Sequence, residues 1–98
     1  MKVIKLKFDW NPEKNEINIK KHGINFSEAE TVFEDERAIT IYDEDHSTDE
    51  DRFKIIGISR KLRELIVCYC YRNGEEITRI ISARRATLGE TKLYERGL

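Results

Sequence analysis

No apolar run in this chain approaches the roughly 20 residues that a membrane-crossing helix needs. The opening Met1-Lys2-Val3-Ile4-Lys5-Leu6-Lys7 alternates with lysine where a signal peptide would build an apolar block. Both absences predict a cytoplasmic protein without membrane contact. Cysteine is nearly missing as well: Cys68 and Cys70 are the only two. On a strand they share one face at roughly 6.5 to 7 Å, poor geometry for a mutual disulfide, so both read as reduced thiols packed in a sheet. Histidine is equally scarce, and His22 and His46 form no recognised ligand spacing. The acidic run from Asp43 to Asp51 fails as a calcium loop, with Thr48 where the turn glycine belongs and Lys54 where the closing glutamate belongs. No metal or other cofactor is expected. Repeats, linkers and low-complexity segments are also absent, so residues 1–98 read as a single domain with one core.

What the chain has in quantity is charge. Hydrophobic residues make up 39% and charged residues 38%, and the net charge of -1 conceals a division. Residues 1–51 carry a charge of -7 and residues 52–98 a charge of +6. The halves either neutralise each other within the domain or present a basic surface beside an acidic loop. Eight of the 11 basic residues in the second half are arginine, a bias toward paired hydrogen bonds on phosphate or carboxylate.

Val3, Ile4, Leu6 and Phe8 suggest an opening strand with Lys5 and Lys7 turned outward. Asn11 as cap and Pro12 at the first helical position start a helix over 12–22, which Gly23 stops. On it Lys14, Ile17 and Lys21 share one side, while His22 lies nearer Ile19 and is suited to hydrogen-bonding the helix end. A Ser27/Glu30 capping box predicts a second helix over 28–35 with Ala29, Val32 and Phe33 buried. Strands follow at 37–42, 52–59, 64–71 and 77–83, the last two joined by a two-residue Asn73-Gly74 turn. Both faces of 64–71 are apolar, the pattern of a central strand covered on both sides. Thr87 caps a last helix over 88–96. Between strands, His46 reads as a solvated loop histidine, with metal ligation or acid/base work as its alternatives. The fold class is α+β, in the order β-α-α-β-β-β-β-α.

Several of these stretches together carry a family resemblance. Phe8-Asp9-Trp10-Asn11-Pro12-Glu13-Lys14, Asn18 through Phe26 with its Lys21-His22-Gly23, Ala29, Val32-Phe33, His46-Ser47, Glu50-Asp51-Arg52-Phe53, Ile56-Gly57 and Arg79-Ile80-Ile81-Ser82-Ala83-Arg84-Arg85-Ala86-Thr87 resemble the BrnT family of bacterial type II toxins. The resemblance runs over nearly the whole chain in order. It implies a RelE-like fold, with a twisted, mostly antiparallel sheet, two N-terminal helices and a short C-terminal helix. It further implies a ribonuclease toxin that inhibits translation by cleaving RNA without a metal. The implied partners are RNA and a cognate BrnA-like antitoxin, with operator DNA bound only through the antitoxin. Where the family often has a Glu-Arg pair, this chain has Glu50-Asp51-Arg52, so either acid can take the family's part.

Cleavage by a 2'-hydroxyl needs a base for that hydroxyl, cations on the phosphorane oxygens and an acid for the leaving 5'-oxygen. Arg52, Arg79 and Arg84 are the candidates for phosphate contact and charge stabilisation. Lys21 is a candidate cation or acid/base group, and Glu50 or Asp51 a base or an orienter of arginine. Arg85, His22 and Lys54 are candidates for RNA binding. Arg79, inside an apolar strand, is the least compatible with an idle surface role, since an unpaired charge there is costly. Strand alternation separates Arg79 from Arg84, so either the strand ends or bulges near Ala83 or Arg85 is the true companion of Arg79. A non-enzymatic module that binds nucleic acid or an acidic partner through a basic sheet face is the alternative reading.

Overall fold

Asn11, Pro12 and Gly23 set the first helix where the sequence places it. In the computed structural model, which describes residues 6–97, α1 spans Pro12–His22. Asn11 Oδ1 accepts from the N–H groups of Glu13 at 2.8 Å and Lys14 at 3.2 Å, and Gly23 closes the helix at φ 71°, a left-handed conformation that suits glycine. The opening strand β1 is Lys7–Asp9; Val3 and Ile4, which the sequence reading includes, lie outside the described residues.

The second helix departs from expectation. α2 spans Phe26–Val32 and its cap is Asn25, which accepts from the Ser27 N–H at 2.9 Å. Ser27 lies inside the helix, and its hydroxyl donates to Asn25 Oδ1. The earlier start is reinforced by α1, whose Asn15 Oδ1 accepts from the Phe26 N–H at 2.8 Å. Phe26, Ala29 and Val32 then fall on one buried face at helical spacing.

The remaining strands are β2, Ile39–Tyr42; β3, Arg52–Ile58; β4, Glu64–Arg72; and β5, Ile77–Arg85. They form one sheet of order β1-β5-β4-β3-β2, antiparallel except for β1 beside β5. β4 is central, as its apolar faces predict. The β4–β5 loop is four residues long, 73–76, because Arg72 pairs with Ile77; Asn73 and Gly74 both take positive φ within it. This lengthens the two-residue turn read from the sequence.

One sheet face packs Leu65, Val67, Tyr69, Ile80 and Ala83 against the α1–α2 layer. Gly57 lets the end of α2 and the turn after it approach this face: a Cβ there would meet Val32 Cγ1 at 3.1 Å and Ala38 Cβ and Asp35 Oδ2 at 3.0 Å. α1 also sits at the free edge of β5 beyond β1. Asn18, buried, donates to the Ala83 carbonyl at 2.8 Å and accepts from the Ala83 N–H at 3.1 Å, standing in for a neighbouring strand. Among the described residues the opposite face is covered only at one end. There α3, Leu88–Arg96, lays Leu93 and Tyr94 over Ile39, Ile56 and Ile66. The Thr87/Glu90 capping box starts it, and the Tyr94 hydroxyl donates to Asp35 Oδ2 at 2.6 Å. Among the described residues the rest of this second face is open, which leaves the lower part of β4 uncovered on one side. Among the described residues no helix is long and apolar enough to cross a membrane.

Candidate active site

The open half of the sheet collects the arginines. Side chains alternate, so Arg52 and Lys54 of β3 share this face with Cys68, Cys70 and Arg72 of β4. On β5 the register slips: Cys68 pairs with Ser82 but Tyr69 pairs with Ile80. Ile81 is therefore an extra residue, a β-bulge. The bulge resolves the parity problem, since Arg79, Ser82 and Arg84 now share the open face, whereas Arg85, opposite Leu65, falls on the other one. The irregularity lies two residues before the expected Ala83. Arg52, Cys70, Arg79 and Asp9 form one row across four strands, with Arg52 and Arg79 two strand spacings apart, about 10 Å.

These cations are held by acids. Glu50 lies between two arginines, its Oε1 accepting from Arg72 Nη1 at 2.9 Å and its Oε2 lying 3.5 Å from Arg52 Nε. Burial alone would raise the Glu50 pKa, but the Arg72 charge, the Cys70 thiol and Arg52 together hold it below the usual carboxylate value. Glu50 is thus an anion that orders the guanidinium groups. Arg79 pairs with Asp9 at 3.4 Å. Asp9 Oδ1 and Arg52 Nε are buried atoms with no hydrogen-bond partner among the described residues. Both lie in the same row, where an incoming polar group can complete them. Cys70, beneath the arginines, accepts from Arg72 Nη1 at 3.0 Å. Burial, the largest influence, raises its pKa and keeps it a neutral thiol.

Arg84 reaches the right face but is occupied there. Its two terminal nitrogens bond to the Glu90 carboxylate at 2.8 and 2.9 Å, fastening the start of α3. The hydrogen bond to Glu90 is also the chief cause of its raised pKa. Asp51 points elsewhere and accepts from the Tyr42 hydroxyl at 2.9 Å, so Glu50 is the acid that joins the arginines. Lys54 lies one row from Arg52, in a groove of about 370 Å³ between α3 and the loop after β2. Lys21, exposed, and His22, half-buried, are in the last turn of α1 at the β5 edge. Asn15 faces α2; Lys21 lies on the flank of the helix turned away from α2.

Three members of this cluster escape the sequence reading. Arg72 stands next to a turn, where a surface role is the ordinary inference, and its partner Glu50 is 22 residues away. Asp9 is missed because parallel pairing of β1 with β5 alone puts it beside Arg79; the signal available was that a strand-interior arginine requires an acid. Cys70 reads as core, and it is, but core directly beneath the charged row.

A second cavity of about 390 Å³ adjoins Glu50 and Arg52 and is also lined by Asp45, His46, Thr48 and Asp49. A larger one, about 560 Å³, lies by Glu36, Arg37 and the end of α3 and contains none of the arginines of the sheet row. Among the described residues no cluster of three or more His, Cys, Asp or Glu side chains is placed to hold a metal ion.

Comparison with known proteins gives a consistent result. Residues 10–90 match the family model described as the ribonuclease toxin, BrnT, of type II toxin-antitoxin systems. The fold matches the crystal structure of the Brucella abortus ribonuclease toxin BrnT with a TM-score of 0.64 at 28% identity, over 85% of this chain and 99% of that one. No curated protein matches the chain.

Proposed function

The chain belongs to the BrnT family of ribonuclease toxins of type II toxin-antitoxin systems, and from that premise we propose that it cleaves RNA on the open face of its sheet without a metal ion. The 2'-hydroxyl attacks the adjacent phosphorus, and Arg52 and Arg79 neutralise the charge that grows on the non-bridging oxygens. The observation that carries this reading is the row Arg52–Cys70–Arg79, which sets two arginines from different strands on the same open face of the sheet. Glu50 receives the 2'-hydroxyl proton. In the free protein it is bound to Arg52 and Arg72; as the phosphate takes those cations, Glu50 becomes a stronger base. Lys54 and Lys21 contact flanking phosphates, and Arg84 supports the rim through Glu90.

A type II toxin is paired with an antitoxin. Here we take the partner to be BrnA-like, covering the open cationic face, with the cytoplasm as the site of action. The test is incubation of the purified protein with unstructured RNA in EDTA. The expected products carry 2',3'-cyclic phosphate and 5'-hydroxyl ends. Arg79→Ala and Arg52→Ala should each cleave at least about 100-fold more slowly. RNA that stays intact in EDTA but is cut when a divalent cation is restored would overturn the metal-free reading. Undiminished cleavage by Arg79→Ala would remove the arginine row from the mechanism.

A further inference from the structure

We propose that His46 is the general acid that protonates the leaving 5'-oxygen, and that Asp43 is its positioning residue. The proposal rests on the metal-free cleavage reading above and adds the one chemical role it leaves unfilled. The geometry is that of an oriented imidazole. Nδ1 of His46 lies 3.1 and 3.0 Å from the two carboxylate oxygens of Asp43. The Asp43 side chain is 5% exposed while that of His46 is 63% exposed, so a buried anion fixes a ring that remains open to substrate. With Nδ1–H donated to Asp43, the other ring nitrogen, Nε2, is the free one.

The loop carrying this pair is bonded to the site strand and does not simply hang from it. The Asp43 N–H donates to the Arg52 carbonyl at 2.9 Å. Ser47 Oγ accepts from the Arg52 N–H at 2.9 Å and donates to the Asp43 carbonyl. His46 is thereby referenced to Arg52, and the two residues line the same cavity with Glu50. The other candidate acids do not share that cavity: Lys21 and His22 belong to α1, packed at the β5 edge, two strands away from β3.

In the acid form the imidazolium donates Nδ1–H to Asp43 and presents Nε2–H to the cavity. The 2'-oxygen forms a bond to phosphorus as its proton passes to the Glu50 carboxylate. The bond from phosphorus to the 5'-oxygen breaks with its electron pair on oxygen, and that oxygen takes the Nε2 proton. The products are a 2',3'-cyclic phosphate and a 5'-hydroxyl, with His46 neutral and Glu50 protonated; exchange with water restores both.

The test uses one RNA in two forms, cut at a linkage mapped with the wild-type protein. In the second form sulfur replaces the 5'-bridging oxygen, so the leaving thiolate needs no acid. His46→Ala, whose fold is checked by circular dichroism, is expected to cleave the oxygen-linked RNA at least about 100-fold more slowly than wild type, yet the sulfur-linked RNA within about threefold of it. Asp43→Asn should show the same selectivity with a smaller loss, whereas Arg79→Ala should lose activity on both. Equal loss on both substrates by His46→Ala, or no loss on either, would overturn the assignment. Failure of wild type to cleave either RNA in EDTA would instead overturn the underlying reading, and the assignment with it.

Discussion

Arg72 is the residue whose importance the geometry changes most. One of its terminal nitrogens touches both Glu50 Oε1 and Cys70 Sγ, so a single guanidinium ties the acid to the floor of the site. The groups facing Glu50 are Arg72 and Cys70 from β4, Arg52 from β3, and Asp45, His46 and Asp49 from the loop around the cavity. Burial works against the ionised form of Glu50, and the Arg72 charge is the largest influence opposing it, with a net lowering of the pKa. If Glu50 is the base, the acid limb of the kcat/KM profile follows its deprotonation. Arg72→Gln is expected to move that limb to higher pH and to lower kcat more than it raises KM. Arg72→Lys, which keeps the charge but not the fork, should recover most of the limb position. An unmoved limb in Arg72→Gln would show that another group sets Glu50's ionisation.

Among the elements, α2 depends most on tertiary support. Seven residues are too few for a helix that stands alone, and one side chain pins it to the turn between β3 and β4. Glu28, buried, accepts from Ser59 Oγ at 2.7 Å and Arg63 Nε at 2.9 Å, with Arg63 Nη2 on its other oxygen. The Arg63 hydrogen bond is the largest influence on Glu28 and lowers its pKa, against burial. A depressed folded-state pKa gives stability that is present above the unfolded value and lost as pH falls through the folded one. Glu28→Ala is therefore expected to lower the unfolding free energy by about 3–5 kcal/mol at pH 7, because Arg63 and Ser59 lose their buried partner. In urea titrations the gap between wild type and Glu28→Gln should narrow as pH falls below the ordinary 4.5. A gap constant from pH 7 to pH 3 would refute the carboxylate as its source. Legibility at this scale follows the range of the determining interaction. Asn11, Gly23 and the Thr87/Glu90 box act within four residues and are readable directly. Asn25 and Ser27 are both competent caps, and the choice between them falls to Asn15, ten residues before Asn25. The Ile81 bulge is set by pairing against Cys68 and Tyr69, so nothing local marks it, although the need for some irregularity was visible in the spacing of Arg79 and Arg84.

For the whole molecule, the opposed charges of the two halves become bonds between them. Arg52 and Arg72 meet Glu50, Arg60 meets Glu34, Arg63 meets Glu28 and Arg79 meets Asp9, each pairing a second-half cation with a first-half acid. Five second-half arginines are thus held by first-half acids, and the open face is an arginine row with an acidic loop at one end, not an unbroken basic surface. A duplex backbone carries one charge per about 1.7 Å, and tight non-specific binding requires many simultaneous phosphate contacts. This face offers few, and carboxylates of the 43–51 loop repel a rigid duplex that runs past them. A flexible single strand can place one linkage between Arg52 and Arg79 without crossing the loop. The protein alone is accordingly expected to leave duplex DNA, including the DNA upstream of its own gene, unshifted in a gel at physiological salt. A sequence-specific shift by the toxin alone would show that a surface other than the open face reads DNA.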